Sequence, residues 1–371
     1  MKKRLKLCLI VSGLNNGGIE TYIKNYFSKM NLKNYDLFII THNIPTKDVK
    51  KDFQSIGFKI ISVPPKRKNL LKNILMIKKY IKKYDFDIVH SNMVKSNFIP
   101  MYFAKKYGVK LRIAHSHNVI PTNNYVMKFL LKIMQYLNRK YANYFLGCSK
   151  EALLYGFGEK IFSNKYSYRI MYNAIDVNKF RFNNKFRKEI RANFNISEDD
   201  ILIGNVARFT YQKNHEFLIN LLEKVNIKNK KFKLLLIGDG EEKNTIIKFV
   251  KEKKLDDLVI FINSTENINK YYSAFDIFLM PSRFEGLGIC ALEAQVNGLK
   301  LILSNNFPDE VVQSDKVMRI SLNDIEKWID ELLSFDSNYE RKNIVINKSY
   351  EINSEYKILE NLYRGVKNET D

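Results

Sequence analysis

Cysteine and long apolar runs are both scarce in this sequence. Its 371 residues contain three widely spaced cysteines and no CxxC pair, so neither a disulfide framework nor a zinc site is expected. No apolar run approaches the roughly 20 residues that span a bilayer. The basic N-terminus leads into a short apolar stretch with no small-residue cleavage site after it. We therefore expect a cytoplasmic protein whose first apolar run is a strand.

Acidic residues are also few relative to basic ones. Lysine and arginine number 62 against 39 aspartates and glutamates, a formal net charge of +23. Such a charge favours polyanions. No zinc-finger, RRM or basic-zipper pattern accompanies it, so specific nucleic-acid binding is not expected. Two interpretations stay open, namely lysine enrichment through AT-rich coding and attraction to the anionic inner surface of the cell membrane.

Short β-branched or aromatic runs alternate with helical stretches along the chain. The first half has runs such as LKLCLIV and YDLFIIT, and the alternation restarts with ILIGNVA after a polar stretch at 176–200. This pattern predicts an α/β fold of two doubly wound, Rossmann-like domains, residues 1–178 and 179–371, with a ligand between them at the carboxyl ends of the strands. The C-terminal helices, residues 352–371 in particular, are expected to return to the N-terminal domain.

The first predicted strand runs into a glycine-rich turn, SGLNNGGIE. A dinucleotide fingerprint needs G-x-G-x-x-G, but Asn15 replaces the middle glycine and no acid ends the second strand, which argues against NAD binding. Gly17 and Gly18 then begin a helix, and the free amides and positive dipole end of a helix suit a phosphate. The alternative is a tight turn without a ligand, with Glu20 favourably placed in the first helical turn.

A second loop, PSRFEGLG, follows a predicted strand and leads into a helix. Glu285 lies in the loop and Glu293 in the helix, and carboxylates accept hydrogen bonds from sugar or ribose hydroxyls. Gly286 and Gly288 free the loop backbone to approach a ligand. Two solvated acids at the start of a helix are the simpler alternative.

Two cations follow the predicted strand ILIGNVA. Arg208 and Lys213 are five positions apart. Such a pair can neutralise a nucleotide diphosphate, the guanidinium as a fork and the ammonium as a point charge. In a lysine-rich protein, surface cations without a ligand are the alternative interpretation.

Ordered motifs along the chain resemble those of the retaining family 4 glycosyltransferases, which have the GT-B fold of two facing Rossmann-like domains. PSRFEGLGICALEA resembles the family's E-x7-E signature, GNVARFTYQKNHEFLI its Arg-x4-Lys segment and AHSHN its histidine segment. GLNNGGIE, LLLIGDGEEK and MYNAID, where Ala174 replaces a glycine, resemble further motifs of the family. The resemblance covers residues 5–305 and is closest to enzymes of bacterial capsular and extracellular polysaccharide synthesis.

The resemblance implies roles for individual residues. Glu293 matches the glutamate that binds the nucleotide ribose. Glu285 matches the one that contacts the donor sugar and stabilises it in the transition state, and His117 matches a histidine near the reacting sugar. Further donor contacts are implied for Gly17, Gly18, Arg208, Lys213, Gly286, Leu287 and Gly288.

The resemblance also implies a reaction. A hexosyl group would pass from a nucleotide diphosphate sugar, a UDP-sugar, to a saccharide acceptor, lipid-linked and at the membrane surface, with retention of anomeric configuration. Arg208, Lys213 and the Gly17 and Gly18 amides would stabilise the departing diphosphate, so that no cofactor or metal ion is required.

Two other functions compete with this interpretation. A glycoside hydrolase would use Glu285 and Glu293 as an acid/base pair, but that leaves the cationic pair and the glycine turn without a role. A basic scaffold at the membrane or on nucleic acid would bind polyanions without catalysis. The donor base, the sugar and the acceptor do not follow from the sequence.

Overall fold

The structure is a computed structural model that describes residues 4–15, 17–119, 122–228, 231–336, 339–342 and 344–366. The chain divides into two compact units. The first ends at Ala174 and resumes at Ile352, and the second spans Ile175–Glu351. The doubly wound α/β fold predicted from the sequence is confirmed.

The first unit contains a parallel sheet of seven strands in the order β3-β2-β1-β4-β5-β6-β7. The strand order reverses direction between β1 and β4. Its elements are β1 Leu5–Val11, α1 Gly18–Lys29, β2 Tyr35–Thr41, α2 Lys47–Ile56, β3 Lys59–Ser62, α3 Leu70–Tyr84, β4 Ile88–Asn92, α4 Phe98–Lys106, β5 Leu111–Ser116, α5 Tyr125–Tyr141, β6 Tyr144–Gly147, α6 Lys150–Phe157, β7 Tyr168–Ile170 and, after the second unit, α14 Ile352–Arg364.

Helices cover both faces of this sheet, which explains why β1 reads as an unbroken apolar run. Its side chains alternate between the faces: Leu7 and Leu9 join the core under α1, α2 and α14, whereas Cys8 and Ile10 join the core under α3, α4 and α6. The helix α14 enters the first core through Tyr363, which is fully buried. This unit therefore draws on residues from both ends of the chain.

The second unit contains a parallel sheet of six strands in the order β10-β9-β8-β11-β12-β13, which reverses direction between β8 and β11. The helices α9, α10 and α13 pack on one face around the buried Trp328. Its elements are α7 Val177–Phe180, α8 Asn184–Asn193, β8 Ile201–Val206, α9 His215–Lys228, β9 Phe232–Ile237, α10 Lys243–Glu252, β10 Val259–Ile262, α11 Ile268–Ala274, β11 Ile277–Met280, α12 Ile289–Val296, β12 Lys300–Ser304, β13 Val317–Ile320 and α13 Ile325–Leu333.

No helix in the described ranges has the length and apolar character needed to cross a bilayer. Two of the three cysteines, Cys8 and Cys148, are buried, whereas Cys290 is partly exposed. All three thiols are free.

Candidate functional site

A lysine and a glutamate form an ion pair at the carboxyl edge of the second sheet. Lys213 follows β8 in the turn before α9, and Glu285 follows the neighbouring β11 in the loop before α12. Because parallel strands end at the same edge, the two loops meet there, and Lys213 Nζ lies 2.6 Å from Glu285 Oε2. The two side chains are only 17% and 9% exposed, and the Gln212 amide donates to the same oxygen at 3.4 Å. The structure thus brings two predicted site residues into direct contact.

The loop that carries Glu285 depends on a glycine at its end. Gly288 has a φ of +77°, in the left-handed region, and a Cβ placed there would lie 2.5 Å from the Phe307 ring. Only glycine meets both demands without strain. Leu287, one of the predicted donor contacts, is buried beside it, and α12 begins at the next residue, Ile289. The backbone between Glu285 and α12 is therefore held in one conformation.

Glu293, the second glutamate of the predicted signature, lies inside α12 and is 5% exposed. The Tyr272 hydroxyl, from α11, donates to Glu293 Oε2 at 2.7 Å. Burial raises the pKa of Glu293 to about 7, against the lowering effects of the Tyr272 hydrogen bond and of Lys179. Near neutral pH this carboxyl can therefore either accept hydrogen bonds as a carboxylate or donate one as an acid.

Arg208 presents its guanidinium from a fixed loop. The side chain is 50% exposed and forms an ion pair with Glu241 at 3.8 Å, an exposed contact that contributes little to stability. The backbone beneath it packs against the turn at 238–240: a Cβ on Gly240, whose φ is +156°, would lie 2.3 Å from the Phe209 carbonyl oxygen. The glycines of this turn therefore permit the close approach of the two loops.

Sequence reasoning missed three residues of this region, Gln212, Tyr272 and His215. His215 stacks on Phe209 with ring centroids 4.0 Å apart and planes 11° from parallel. Burial, and then the charge of Lys213, lower the pKa of His215 to about 3, so the ring is neutral. A helical tyrosine or histidine gives no local signal of such a contact, because its partner belongs to a distant part of the chain.

The glycine turn of the first unit contains a carboxylate where a phosphate was predicted. The helix α1 begins at Gly18, and the Glu20 side chain folds back to accept a hydrogen bond from the Asn15 amide at 2.7 Å. A Cβ on Gly17 would lie 2.9 Å from Glu20 Oε2. A phosphate at the Gly17 and Gly18 amides would meet this negative charge, and the phosphate contact stays a prediction.

His117 lies just after β5 in the first unit and is 8% exposed. Its Nε2 lies 2.7 Å from Asn92 Oδ1. The Asn92 amide nitrogen donates to the His90 carbonyl, which leaves Oδ1 to accept, so Nε2 carries the proton and Nδ1 is an acceptor. Burial lowers the pKa of His117 to about 3. The side chain is therefore a neutral acceptor, suited to a hydroxyl group.

Two more histidines support His117 from within the core. The His115 ring lies 3.7 Å from the His117 ring, and His115 Nδ1 lies 3.1 Å from His90 Nε2. His90 in turn shares a hydrogen bond of 2.6 Å with the Tyr363 hydroxyl of α14. His115, which is fully buried, therefore lies on the core side of His117.

Two protein-family models match this chain. Residues 16–152 match the model described as Glycosyltransferase Family 4, and residues 186–351 match the model described as Glycosyl transferases group 1. The first match lies in the first unit and includes His117. The second lies in the second unit and includes the Lys213–Glu285 pair.

Individual proteins match over larger parts of the chain. EpsF of Bacillus subtilis, provisionally named as a glycosyltransferase, is 29% identical over 87% of this chain and 85% of its own. The O-antigen biosynthesis glycosyltransferase WclY of Escherichia coli is 32% identical over 63% of this chain and 65% of its own. Crystal structures of Anabaena HepE with UDP and with UDP-glucose superpose with TM-scores of 0.73 and 0.69, each over 97% of this chain and 100% and 95% of HepE, at 13% and 14% identity.

Proposed function

We infer the function from the family to which the chain belongs: it is a glycosyltransferase, with a family 4 domain in its first unit and a group 1 domain in its second. The more specific proposal is a retaining hexosyltransferase that moves a sugar from a UDP-sugar to a lipid-linked saccharide. Its setting is the synthesis of a capsular or extracellular bacterial polysaccharide. The name of WclY, an O-antigen biosynthesis glycosyltransferase, supports a role in polysaccharide synthesis, and the UDP-glucose complex of HepE supports the donor class.

The observation that carries the proposal is the buried Lys213–Glu285 pair. An enzyme that binds a sugar diphosphate needs a cation for the phosphates beside an acceptor for the sugar hydroxyls, and this pair supplies both 2.6 Å apart. We assign Lys213, together with the exposed Arg208, to the diphosphate and Glu285 to the donor sugar. Glu293 would hold the ribose, and backbone groups of 286–288 would contact the sugar and phosphate.

The reaction breaks the bond between the anomeric carbon and the diphosphate oxygen and forms a bond from that carbon to the acceptor oxygen. The acceptor hydroxyl attacks from the face that the diphosphate leaves, and its proton passes to the departing phosphate oxygen. Arg208 and Lys213 stabilise the negative charge that collects on this leaving group without a metal ion. His117, as a neutral acceptor, is assigned to a hydroxyl of the reacting sugar.

Donor identity can be tested with a thermal-shift panel of nucleotide sugars, because a specific ligand raises the unfolding temperature by mass action. We expect UDP-sugars to stabilise the protein and GDP- or ADP-sugars to have less effect. Turnover with the selected donor should persist in EDTA and disappear in Glu285→Ala. If none of these nucleotide sugars stabilises the protein although it binds anionic lipid, the result would instead support the non-catalytic scaffold.

We also propose that the first unit rests on an anionic membrane. One side of α5 exposes Tyr125, Phe129, Ile133 and Tyr136, at 41% to 86% exposure. Their spacing places them on one face of the helix, with Lys128 and Lys132 beside them. An amphipathic helix of this kind lies in the membrane interface, with its apolar face among the acyl chains and its cations at the headgroups.

The neighbouring helices extend this surface. The helix α4 packs between α3 and α5 and exposes Tyr102, while α3 exposes Leu70, Leu71 and Leu75. Exposed apolar area of this extent on adjacent helices marks an interaction site. Lysines of α3, at positions 72, 78, 79, 82 and 83, add positive charge that favours anionic lipid over a neutral protein partner.

Vesicle sedimentation tests the membrane surface. We expect binding to vesicles that contain phosphatidylglycerol, weaker binding to pure phosphatidylcholine and loss of binding at high salt. The double variant Phe129→Ser/Ile133→Ser should bind at least about 10-fold more weakly, since each apolar side chain contributes about 1.5–3 kcal/mol on burial. Val345→Ser, which changes an 86% exposed residue in the second unit, is the matched control. Equal binding by the two variants would contradict the assignment of this face.

A further inference from the structure

A lysine spans the carboxyl ends of two strands in the first sheet. Lys66 lies in the loop between β3 and α3, and its Nζ donates a hydrogen bond of 2.5 Å to the hydroxyl of Ser96, which follows β4. In the sheet, β2 and β1 lie between β3 and β4. The side chain therefore reaches over the position where the strand order reverses, which is where open parallel sheets bind ligands.

His42 follows β2 at the same edge of the sheet, between the two strands that this lysine spans. It is the first residue after β2, is 4% exposed, and its Nε2 has no hydrogen-bond partner in the described part of the chain. Burial, and then the nearby charge of Lys66, lower the pKa of His42 to about 4, so the imidazole is neutral. A neutral imidazole can donate one hydrogen bond to an anion.

The charge of Lys66 has no counter-ion here. Within the described ranges, no carboxylate lies within ion-pair distance of its Nζ, whose hydrogen bond is to the neutral Ser96 hydroxyl. Burial without a partner lowers the pKa of Lys66 to about 8. Cations that are withdrawn from water and left unpaired are unfavourable for stability, and they are characteristic of binding sites.

The loop that holds Lys66 is fixed. Two consecutive prolines, Pro64 and Pro65, precede it, and the fully buried Asn73 donates from its side chain to the Pro64 carbonyl at 2.6 Å. Proline restricts the backbone of its own residue and of the residue before it. The lysine is thus positioned in advance of any ligand.

We propose that Lys66, His42 and Ser96 form a binding site for a phosphate or diphosphate group of the acceptor. The proposal rests on the proposed function, because it assigns the ligand to the acceptor of sugar transfer. The lysine supplies the charge and the imidazole supplies a hydrogen-bond donor, while the Ser96 hydroxyl, which donates weakly to the Met93 carbonyl at 3.4 Å, can rotate to supply a second donor. The phosphate comes either from a prenyl-linked acceptor or from a soluble sugar phosphate, and the same three groups would bind both.

Calorimetric titration tests this site. UDP is titrated first and is then kept at saturation, so that the donor site is filled. Geranyl diphosphate, glucose 1-phosphate and inorganic pyrophosphate follow as separate probes. We expect at least one of them to bind the wild-type protein. Binding of geranyl diphosphate alone identifies a lipid-borne phosphate, and binding of glucose 1-phosphate identifies a soluble one; both outcomes support the site.

Three variants connect the binding to the named residues. Lys66→Met should lower the affinity for the phosphate probe about 10- to 100-fold, as expected for loss of a charged hydrogen bond. Ser96→Ala should lower it about 2- to 10-fold, as expected for loss of a neutral one. Lys68→Met, at an exposed lysine of the same loop, should change little. UDP affinity should be the same in all four proteins. Lys66→Met should also be at least as stable as wild type, because it removes an unpaired, partly buried charge.

Four results would overturn the site. These are no binding of any phosphate probe to the UDP-saturated wild type, equal losses in Lys66→Met and Lys68→Met, loss of UDP affinity in Lys66→Met, and a fall in stability of Lys66→Met with probe affinity unchanged. Failure of the proposed donor class is separate, since it would already appear as absence of UDP binding in the first titration.

Discussion

Replacing Lys213 by methionine should destabilise the second unit. Among the residues that the structure describes, the change leaves the Glu285 carboxylate, 9% exposed, with the Gln212 amide at 3.4 Å as its remaining side-chain partner. Breaking a buried ion pair from one side costs about 3–5 kcal/mol, and because this pair is slightly exposed we expect a cost of about 3 kcal/mol. For a unit of the size of Ile175–Glu351, this corresponds to a Tm lower by about 6–12 °C.

The two halves of the pair should respond differently to UDP. Without ligand, Glu285 holds the Lys213 ammonium at 2.6 Å and so competes with a diphosphate for it. Glu285→Gln releases the lysine, so UDP affinity should equal or exceed that of the wild type while turnover falls about 10²–10³-fold. Lys213→Met should instead weaken UDP binding about 10- to 100-fold through loss of a charged contact.

The assay combines thermal unfolding, UDP calorimetry and turnover for each variant. Lys224→Met is the matched control, because Lys224 is 46% exposed and lies 3.6 Å from Glu326 in a surface pair. Its stability should fall by no more than about 1 kcal/mol, as is typical of such pairs, which corresponds to a Tm lower by at most about 2–4 °C. If Lys213→Met and Lys224→Met lower the Tm by the same amount, the buried Lys213–Glu285 pair stabilises the protein no more than a surface pair does. If Glu285→Gln weakens UDP as much as Lys213→Met, the competition for the lysine does not exist.

Three further variants test other parts of the structure. Burial raises the pKa of Glu293 from 4.5 to about 7, so the folded state binds this proton more tightly, and the resulting stability is present below pH 4.5 and lost as pH rises through 7. Urea titrations should therefore give a free energy of unfolding about 3 kcal/mol lower at pH 8 than at pH 5, and Glu293→Gln should lack this difference. Gly240→Ala, with φ +156° and a Cβ 2.3 Å from the Phe209 oxygen, should lose about 1–3 kcal/mol in thermal unfolding, whereas Gly365→Ala should not. His117→Ala should lower turnover about 10²–10³-fold in kinetic assays and leave UDP affinity unchanged in calorimetry.

Each of these outcomes has a clear opposite. A pH dependence that is the same with and without Glu293 would mean that its carboxyl is ionised in the folded state throughout. Equal stability of the Gly240 and Gly365 variants would mean that the loop at Phe209 shifts without cost. Unchanged turnover in His117→Ala would remove the histidine from the reaction.

The sequence patterns predicted the central strands but missed two of the four edge strands, β7 and β13. β1 and β2 are continuous apolar runs because both of their faces are covered. β7 and β13 lie at sheet edges and are short and partly exposed, so their residues show neither an apolar run nor clear alternation. The polar stretch at 176–200, which separates the two alternating halves of the sequence, contains the helix α8 at Asn184–Asn193.

For the candidate site, sequence spacing located the loops but not the pairings within them. Lys213 and Glu285 lie at one sheet edge because β8 and β11 are neighbouring strands. The order of the motifs implies this pairing only through the family resemblance. The roles of Tyr272 and Lys66 could not be predicted from the sequence, because each depends on burial and on a partner from another element. The Glu20 carboxylate at the glycine turn was foreseen only as the alternative to phosphate binding.

The return of α14 to the first unit has a consequence for synthesis of the protein. The ribosome completes Ile175–Glu351 before it makes α14, so a nascent first unit waits for the helix that supplies Leu359 and Tyr363 to its core. The second unit is contiguous and can fold as soon as it emerges. During that interval the first unit exposes the apolar surface that α14 will cover, and His90 lacks its tyrosine partner. The unit that leaves the ribosome first is thus the last to be completed, and this interval is when chaperones have most to bind.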